Sequence, residues 1–330
     1  MSLPVSVITG FLGSGKTTLL NRLLAGQSFG DTALLINEFG DIGIDHLLVE
    51  EVAPGTVLLP GGCVCCSVQG DLKQALLDLH ARRERGEVPA FKRVVLETTG
   101  LANPAPILST LLRDPQLRGR FHIALLITVV DAEHASMQQR VHPEWLVQVT
   151  AADRLLLSKT DRVDAAAIEA LRSRLHALNP TASQAFTHEI HEGDQMLLGE
   201  GARGASAADE VQGWQLFSPV NQQRHGNAEV CCLTFDAPLD WVDFGVWLSM
   251  LLRCHGDRIL RVKGILDVID SPHPIVIHGV QHTLHAPLHL SAWPAGHERC
   301  SRLVFIVRDL DTNLLRRSFN AFIGNTGIAA

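Results

Sequence analysis

Two hydrophobic periods alternate along the first part of the chain. Short apolar runs of strand length recur at Val5–Thr9, Ala33–Asn37, Thr56–Leu59, Arg93–Glu97, Ile123–Asp131 and Arg154–Ser158, with a weaker one at Gln184–Thr187. Between them lie stripes of helical period: Leu19, Leu20, Leu23 and Leu24; Leu72, Ala75, Leu76 and Leu79; and Ile168, Leu171 and Leu175. Strand runs separated by amphipathic helices are the pattern of a mostly parallel sheet covered by helices, so an α/β domain is predicted.

The pattern then changes. Residues 199–213, GEGARGASAADEVQG, are rich in Gly and Ala and carry no apolar period, as a linker or exposed loop does. Beyond them the order becomes a strand (Glu229–Asp236), a helix (Trp241–Cys254), three strand-like runs (Ile259–Val268, Pro274–His285, Leu303–Asp309) and a last helix (Thr312–Phe322), which describes a smaller α+β domain. A length of 330 residues suits two cores. The expected division is 1–195 for the first domain, 196–225 for the linker and 226–330 for the second.

Composition narrows the function. With 46% hydrophobic and 19% charged residues the chain can bury large cores, which excludes disorder as its main state. Lys+Arg at 28 against Asp+Glu at 35 gives a net charge of −7, so there is no broad basic face for nucleic acid and any anion is held locally. The longest apolar stretch, Ile123–Val130, is far short of the roughly 20 residues of a membrane span, and MSLPVSVITG lacks a signal-peptide pattern. No membrane partner and a cytoplasmic setting are expected. Three of the seven cysteines crowd at Cys63, Cys65 and Cys66, which suits reduced thiols better than independent disulfides.

The chemistry concentrates in loops that follow strands. Gly10-Phe-Leu-Gly13-Ser14-Gly15-Lys16-Thr17 is a full G-x-x-x-x-G-K-T between an apolar strand and an amphipathic helix. Its glycines let backbone N–H groups face a phosphate chain, the helix N-terminus adds positive potential, Lys16 reaches the β/γ-phosphates and Thr17 can ligate Mg²⁺. Thr18 follows in the same nucleotide-binding turn.

A nucleoside triphosphatase also needs a carboxylate near Mg²⁺ and a sensor of the γ-phosphate. The run Val94-Val95-Leu96 delivers Glu97-Thr98-Thr99-Gly100 at a strand end, where the Gly100 N–H can meet that phosphate; a plain turn is the bland alternative. Ser158-Lys159-Thr160-Asp161 closes another strand. A carboxylate such as Asp161 accepts from the two adjacent donors of guanine, which adenine lacks, while the Lys159 stem covers the ring. Asn103 and Glu38 are candidates for positioning the attacking water.

Gly61-Gly62-Cys63-Val64-Cys65-Cys66 brings three thiols to one turn. Thiolates suit Zn²⁺ or Cu(I), and three of them leave a site to be completed elsewhere, by Asp41, Glu38 or His46. A metal-free, redox-sensitive cluster is the competing reading.

Taken in order, Gly10–Thr17, Asn37-Glu38-Phe39-Gly40, the C-x-C-C of Cys63–Cys66, Glu97-x-x-Gly100 and Ser158–Asp161 resemble the CobW-type GTPases, in particular their YjiA-like branch. Asn179-Pro180-Thr181-Ala182 resembles the family's loop behind the guanine, and Arg261-x-Lys263-Gly264 its C-terminal domain, so the resemblance spans nearly the whole chain. It implies a P-loop NTPase fold and a slow, metal-regulated GTPase that acts as a metallochaperone or insertase. The implied ligands are GTP or GDP, Mg²⁺ and a thiophilic divalent ion, most often Zn²⁺, with Co²⁺ and Ni²⁺ as alternatives. An unidentified metalloprotein client is the implied partner, and self-association into a homo-oligomer is left open. The rival reading is a metal-storage or redox-sensing nucleotide-binding protein without a transfer cycle. Some relatives carry Glu just before the Asn-Glu-Phe-Gly segment; Ile36 stands here, which favours Asp41 as an oxygen ligand.

In the second domain, His278, His282, His285 and His289 have helical spacing, yet Pro274, Gly279, Pro287 and Ile275-Val276-Ile277 favour strand and turn. In one extended segment His278 and His282 share a face and His285 takes the other. Trp241, Phe244, Trp247, Leu248 and Leu251 fit one side of a helix and read as core.

Overall fold

The computed structural model describes residues 2–24, 31–36, 57–60, 68–190, 228–294 and 299–323. Its contacts divide the chain into two units, Met1–Arg172 with Ala182–Ala202, and Ser173–Thr181 with Arg203–Ala330.

The first unit is built on seven strands: β1 (Leu3–Thr9), β2 (Thr32–Ile36), β3 (Val57–Pro60), β4 (Arg93–Glu97), β5 (Phe121–Asp131), β6 (Arg154–Ser158) and β7 (Ser183–Phe186). They form one sheet in the order β3-β2-β4-β1-β5-β6-β7, and every pairing is parallel. This is the α/β P-loop NTPase arrangement. The central strands read as continuous apolar runs because both their faces are buried; all five residues of β2 and of β4 are buried.

Helices carry the crossovers: α1 (Lys16–Leu24), α2 (Val68–Glu84), α3 (Ala105–Arg113), α4 (Pro115–Arg118), α5 (Ala135–Val141), α6 (Pro143–Ala151) and α7 (Ala165–Leu178). Leu19, Leu20 and Leu23 of α1 pack against Ile8, Leu34, Val95, Ile127 and Leu156 of the sheet. Each such buried leucine contributes about 1.5–3 kcal/mol. Asp114 caps α4 through the Gln116 and Leu117 N–H groups and pairs with Lys73 of α2 at 2.8 Å.

Because the sheet is parallel, β1, β4, β5 and β6 end on the same edge. Their C-terminal loops therefore gather at one place, which is where open α/β sheets bind ligands.

The second unit holds an antiparallel sheet of β8 (Ala228–Phe235), β9 (Ile259–Leu266), β10 (Ile275–Val280), β11 (Thr283–Leu284), β12 (Leu288–His289) and β13 (Ser301–Arg308). The order is β11-β10-β9-β13-β8, with β12 also paired to β10. Two helices, α8 (Trp241–His255) and α9 (Thr312–Ile323), cover one core with Phe244, Trp247, Leu248, Leu315 and Phe319. The side chain of Asp240 caps α8 by accepting from Val242 N–H at 2.8 Å and Asp243 N–H at 3.0 Å.

The run from Pro274 to His285 is a hairpin rather than one strand. Gln281 adopts φ 50° at its tip, and this turn resets the side-chain alternation. His278 and His285 consequently face each other across the hairpin with ring centroids 6.1 Å apart, while His282 turns away toward the Leu252 carbonyl (2.8 Å) and Asp257 (3.0 Å).

Candidate functional site

The loop between β1 and α1 is shaped by its glycines. Gly10, Gly13 and Gly15 have φ of 142°, 70° and 93°, a region that L side chains rarely adopt. At Gly10 a Cβ would also lie 2.3 Å from the Val129 carbonyl oxygen of β5, so no larger residue fits.

Within this loop the Lys16 ammonium, buried with 8% exposure, donates to the Gly10 carbonyl at 2.8 Å and the Phe11 carbonyl at 3.2 Å. Thr17 Oγ1 donates to Glu97 Oε1 across the sheet at 3.0 Å. Ser14 Oγ is buried and makes no hydrogen bond among the described residues. Thr18 is exposed in the first turn of α1.

Hydroxyl and carboxylate oxygens held this close are a hard donor set of the kind Mg²⁺ prefers, and Lys16 is a cation already aimed at the loop. The chemistry of these residues therefore fits a magnesium-bound phosphate chain.

The segment after β4 is fixed at several points. Thr98 N–H donates to the Ile8 carbonyl at 2.9 Å, and the Thr98 hydroxyl donates to Thr9 Oγ1 at 2.8 Å. Gly100 packs directly on the phosphate loop: a Cβ there would meet the Leu12 nitrogen at 2.6 Å. Gln148 of α6, fully buried, donates through Nε2 to the carbonyls of Gly100 (3.1 Å) and Ala102 (3.0 Å). Asn103 Oδ1 accepts from Ala105 N–H at 3.0 Å at the start of α3.

The loop after β6 connects to the same place. Ser158 Oγ donates to the Ser14 carbonyl at 2.6 Å and lies 3.3 Å from that of Val130. Lys159 takes the left-handed conformation with φ 55°, and its ammonium binds Asp131 Oδ2 at 2.7 Å. Asp161 is exposed on the short helical turn Thr160–Arg162.

Asp131 is the hub of this corner. Its Oδ1 accepts from the Glu133 and His134 N–H groups, and His134 Nδ1 lies 3.0 Å from Oδ2. Burial alone would push this carboxyl up, yet the bonds from Lys159 and His134 hold it below the usual carboxylate range. Among the described residues Asp131, Glu133 and His134 bring potential metal ligands within 4.8 Å of one another. The Lys159 ammonium already neutralises Asp131, so the group is an ion-pair cluster rather than a cation cage. At the end of α7, buried Asn179 accepts the Thr181 N–H (3.2 Å) and hydroxyl (2.8 Å) on Oδ1.

The structure thus brings Gly10–Thr17, Glu97–Gly100 and Ser158–Asp161 to one edge of the sheet. Cys63, Cys65, Cys66, Asp41, Glu38 and His46 lie outside the described residues. Of the described cysteines, Cys231 and Cys232 are buried, and burial pushes the Cys231 thiol up to about 11, far from a thiolate ligand. The Ser158 bond to Ser14, the Gln148 clamp and the Asp131 hub were not legible from motif spacing. A glutamine in the otherwise apolar stretch Trp145–Val149 is the one sequence sign of the clamp.

Comparison with known proteins identifies the family of both domains. Residues 4–186 match the family model described as CobW/HypB/UreG, nucleotide-binding domain, and residues 228–323 match the cobalamin synthesis protein cobW C-terminal domain. The chain is 33% identical over 319 residues to the zinc chaperone YjiA of Escherichia coli (strain K12), covering 96% of this chain and 97% of that one. It is 28% identical to the zinc-regulated GTPase metalloprotein activator 1 of Saccharomyces cerevisiae, over 85% of this chain and 75% of the other. The crystal structure of Zn(II)-bound YjiA GTPase from E. coli superposes with a TM-score of 0.73 at 28% identity, covering 98% of this chain and 99% of that chain. The chain belongs to the CobW/HypB/UreG family, with that family's nucleotide-binding domain followed by its CobW C-terminal domain.

Proposed function

We propose that this protein is a GTP-hydrolysing metallochaperone that couples GTP binding and hydrolysis to delivery of zinc to a client metalloprotein. The observation that carries the reading is the pair of contacts at the phosphate loop: Lys16 held by two carbonyls of its own loop, and Thr17 held by Glu97. All three groups are in place to exchange these internal partners for a nucleotide.

In this reading Gly10, Gly13, Ser14, Gly15 and Thr18 frame the phosphates with loop N–H and hydroxyl groups. Lys16 offsets charge that develops on the β/γ-phosphates. Thr17 and Glu97 would hold Mg²⁺, which when bound neutralises phosphate charge. The Gly100 N–H senses the γ-phosphate, Lys159 covers the base and Asp161 selects guanine. Cys63, Cys65 and Cys66, with Asp41 as an oxygen donor, hold the cargo ion, which is zinc before Co²⁺ or Ni²⁺.

The first domain, to about residue 195, performs the GTPase cycle, and the second, from 226, serves the client. Among the described residues no helix is long and apolar enough to cross a membrane. A cytoplasmic site of action is part of the proposal.

A metal-titrated GTPase assay on purified, reduced protein, with bound metal measured before and after turnover, tests both halves. Turnover that rises with zinc and ends with zinc released supports the coupling. Turnover indifferent to zinc favours a storage or sensing protein.

A further inference from the structure

The turn after β6 is fastened to the turn after β5 as well as to the phosphate loop. Asp131, the last residue of β5, stands in register with Ser158, the last of β6, and the following N–H, that of Ala132, donates to the Ser158 carbonyl at 3.0 Å. This pairing sets the Asp131 carboxylate beside the residue that follows Ser158. Asp131 is 2% exposed, and the Lys159 ammonium donates to its Oδ2 at 2.7 Å. The Glu133 and His134 N–H groups occupy Oδ1, which leaves Oδ2 to Lys159 and to His134 Nδ1 at 3.0 Å. Further along the same turn, Arg162 donates to Glu133 at 3.3 Å, and the Arg162 N–H donates to the Lys159 carbonyl at 3.1 Å.

Lys159 is thereby held at both ends. Its backbone stands in the left-handed region at φ 55° and ψ 31°, a conformation that a residue with a Cβ rarely keeps unless its surroundings hold it there. Its ammonium is gripped by a buried carboxylate, which is costly to leave without a cation. The four methylenes between run from a fixed Cα to a fixed Nζ. A loose lysine stem has to be ordered when a ligand arrives, and that ordering weakens binding. Here the ordering is present in the chain alone.

We propose that Asp131 is a positioning residue of the base site, which by gripping the Lys159 ammonium lays the lysine stem as a preset shelf for the face of a purine ring. This rests on the reading that Lys159 covers the base and that Asp161, two residues on, selects guanine. Asp131 acts through Lys159 and needs no contact of its own with the nucleotide. A shelf reads the face of the ring and not its edge, so Asp131 governs how tightly a purine nucleotide is held, while the choice of guanine stays with Asp161.

Calorimetric titration of the full chain in Mg²⁺ tests this, with GDP as one ligand and inorganic tripolyphosphate, which has no base, as the other. Asp131→Asn keeps a side-chain oxygen for the Glu133 and His134 N–H groups, so the turn should fold, and a thermal melt checks it. The variant should bind GDP about tenfold more weakly and tripolyphosphate as before. Lys159→Met keeps the length of the stem but takes away its anchor, and should show the same loss of GDP affinity; it leaves Asp131 in place and tests the same link should Asp131→Asn melt early. The two changes together should cost no more than either alone, because both cut one link. Additive losses, equal losses for GDP and tripolyphosphate, or unchanged GDP affinity in either single variant would overturn the proposal. Lys159→Ala separates it from the reading beneath: weaker GDP binding there beside an unaltered Asp131→Asn would remove Asp131 alone, whereas unchanged GDP binding in Lys159→Ala would remove Lys159 from the base site and this proposal with it.

Discussion

Ser158 Oγ donates to the backbone carbonyl of Ser14 at 2.6 Å, tying the turn after β6 to the phosphate loop after β1. Both residues are buried, so water cannot replace the bond. Ser158 is also the first residue of the motif whose Asp161 is proposed to read the base. One hydroxyl therefore ties the loop proposed for the phosphates to the turn proposed for the base.

Ser158→Ala should cost about 1–3 kcal/mol of stability, the penalty of leaving a buried acceptor unmet. It should also weaken GTP and GDP binding together, since the two halves of the site lose their common register. Calorimetric titration with each nucleotide beside a thermal melt checks this; unchanged nucleotide affinity would remove Ser158 from the site.

Lys16→Ala should lower GTP turnover by about 10²–10³-fold, because charge developing on the phosphates loses its buried ammonium. The fold should survive, since Lys16 lies in the phosphate loop and its ammonium bonds to the Gly10 and Phe11 carbonyls of that same loop. Single-turnover hydrolysis together with circular dichroism separates the two effects.

Asp161→Asn should move preference from GTP toward xanthosine triphosphate by on the order of a hundredfold or more. The amide donates to the xanthine carbonyl that replaces guanine's exocyclic amine, whereas the carboxylate cannot. Competition binding between the two nucleotides reads the switch, and an unaltered ratio would take Asp161 out of base selection.

Much of this framework was legible beforehand, and for identifiable reasons. Runs such as Val94-Val95-Leu96 and Leu155-Leu156-Leu157 announce strands because a parallel sheet buries both faces, and β4 and β6 occupy the ranges expected from them. The helices Ala105–Arg113 and Pro143–Ala151 were not anticipated: Gly100, Pro104, Pro106 and Pro115 give the first the look of a loop. Pro106 sits in the first turn of its helix, where its missing N–H costs nothing. Gln281 likewise hid the hairpin, because a single left-handed residue leaves no periodic trace. The loops that meet at the sheet edge carry recognisable motifs. The bonds joining them, Ser158 to Ser14 and Gln148 to Gly100, connect residues distant in sequence and have no local signature.

Gln148→Leu keeps the volume of a buried side chain but removes both donors that hold the Gly100 and Ala102 carbonyls. Turnover should fall by about tenfold, equivalent to 1.4 kcal/mol of transition-state stabilisation, while the KM for GTP changes little. Such a split assigns Gln148 to positioning the γ-phosphate segment. A parallel loss in kcat and stability, reversed by cooling, would assign it to packing alone.

The central claim is that nucleotide state and metal affinity are coupled, and zinc affinity measured with GDP and with a non-hydrolysable GTP analogue tests it most directly. If the GTP state completes the metal shell around Cys63, Cys65 and Cys66, zinc should bind about 5–150-fold more tightly with the analogue, a coupling of roughly 1–3 kcal/mol. By linkage zinc should tighten the analogue by the same factor, and serine at all three cysteines should abolish both effects while sparing metal-free nucleotide binding. Equal zinc affinity in the two nucleotide states would contradict the account.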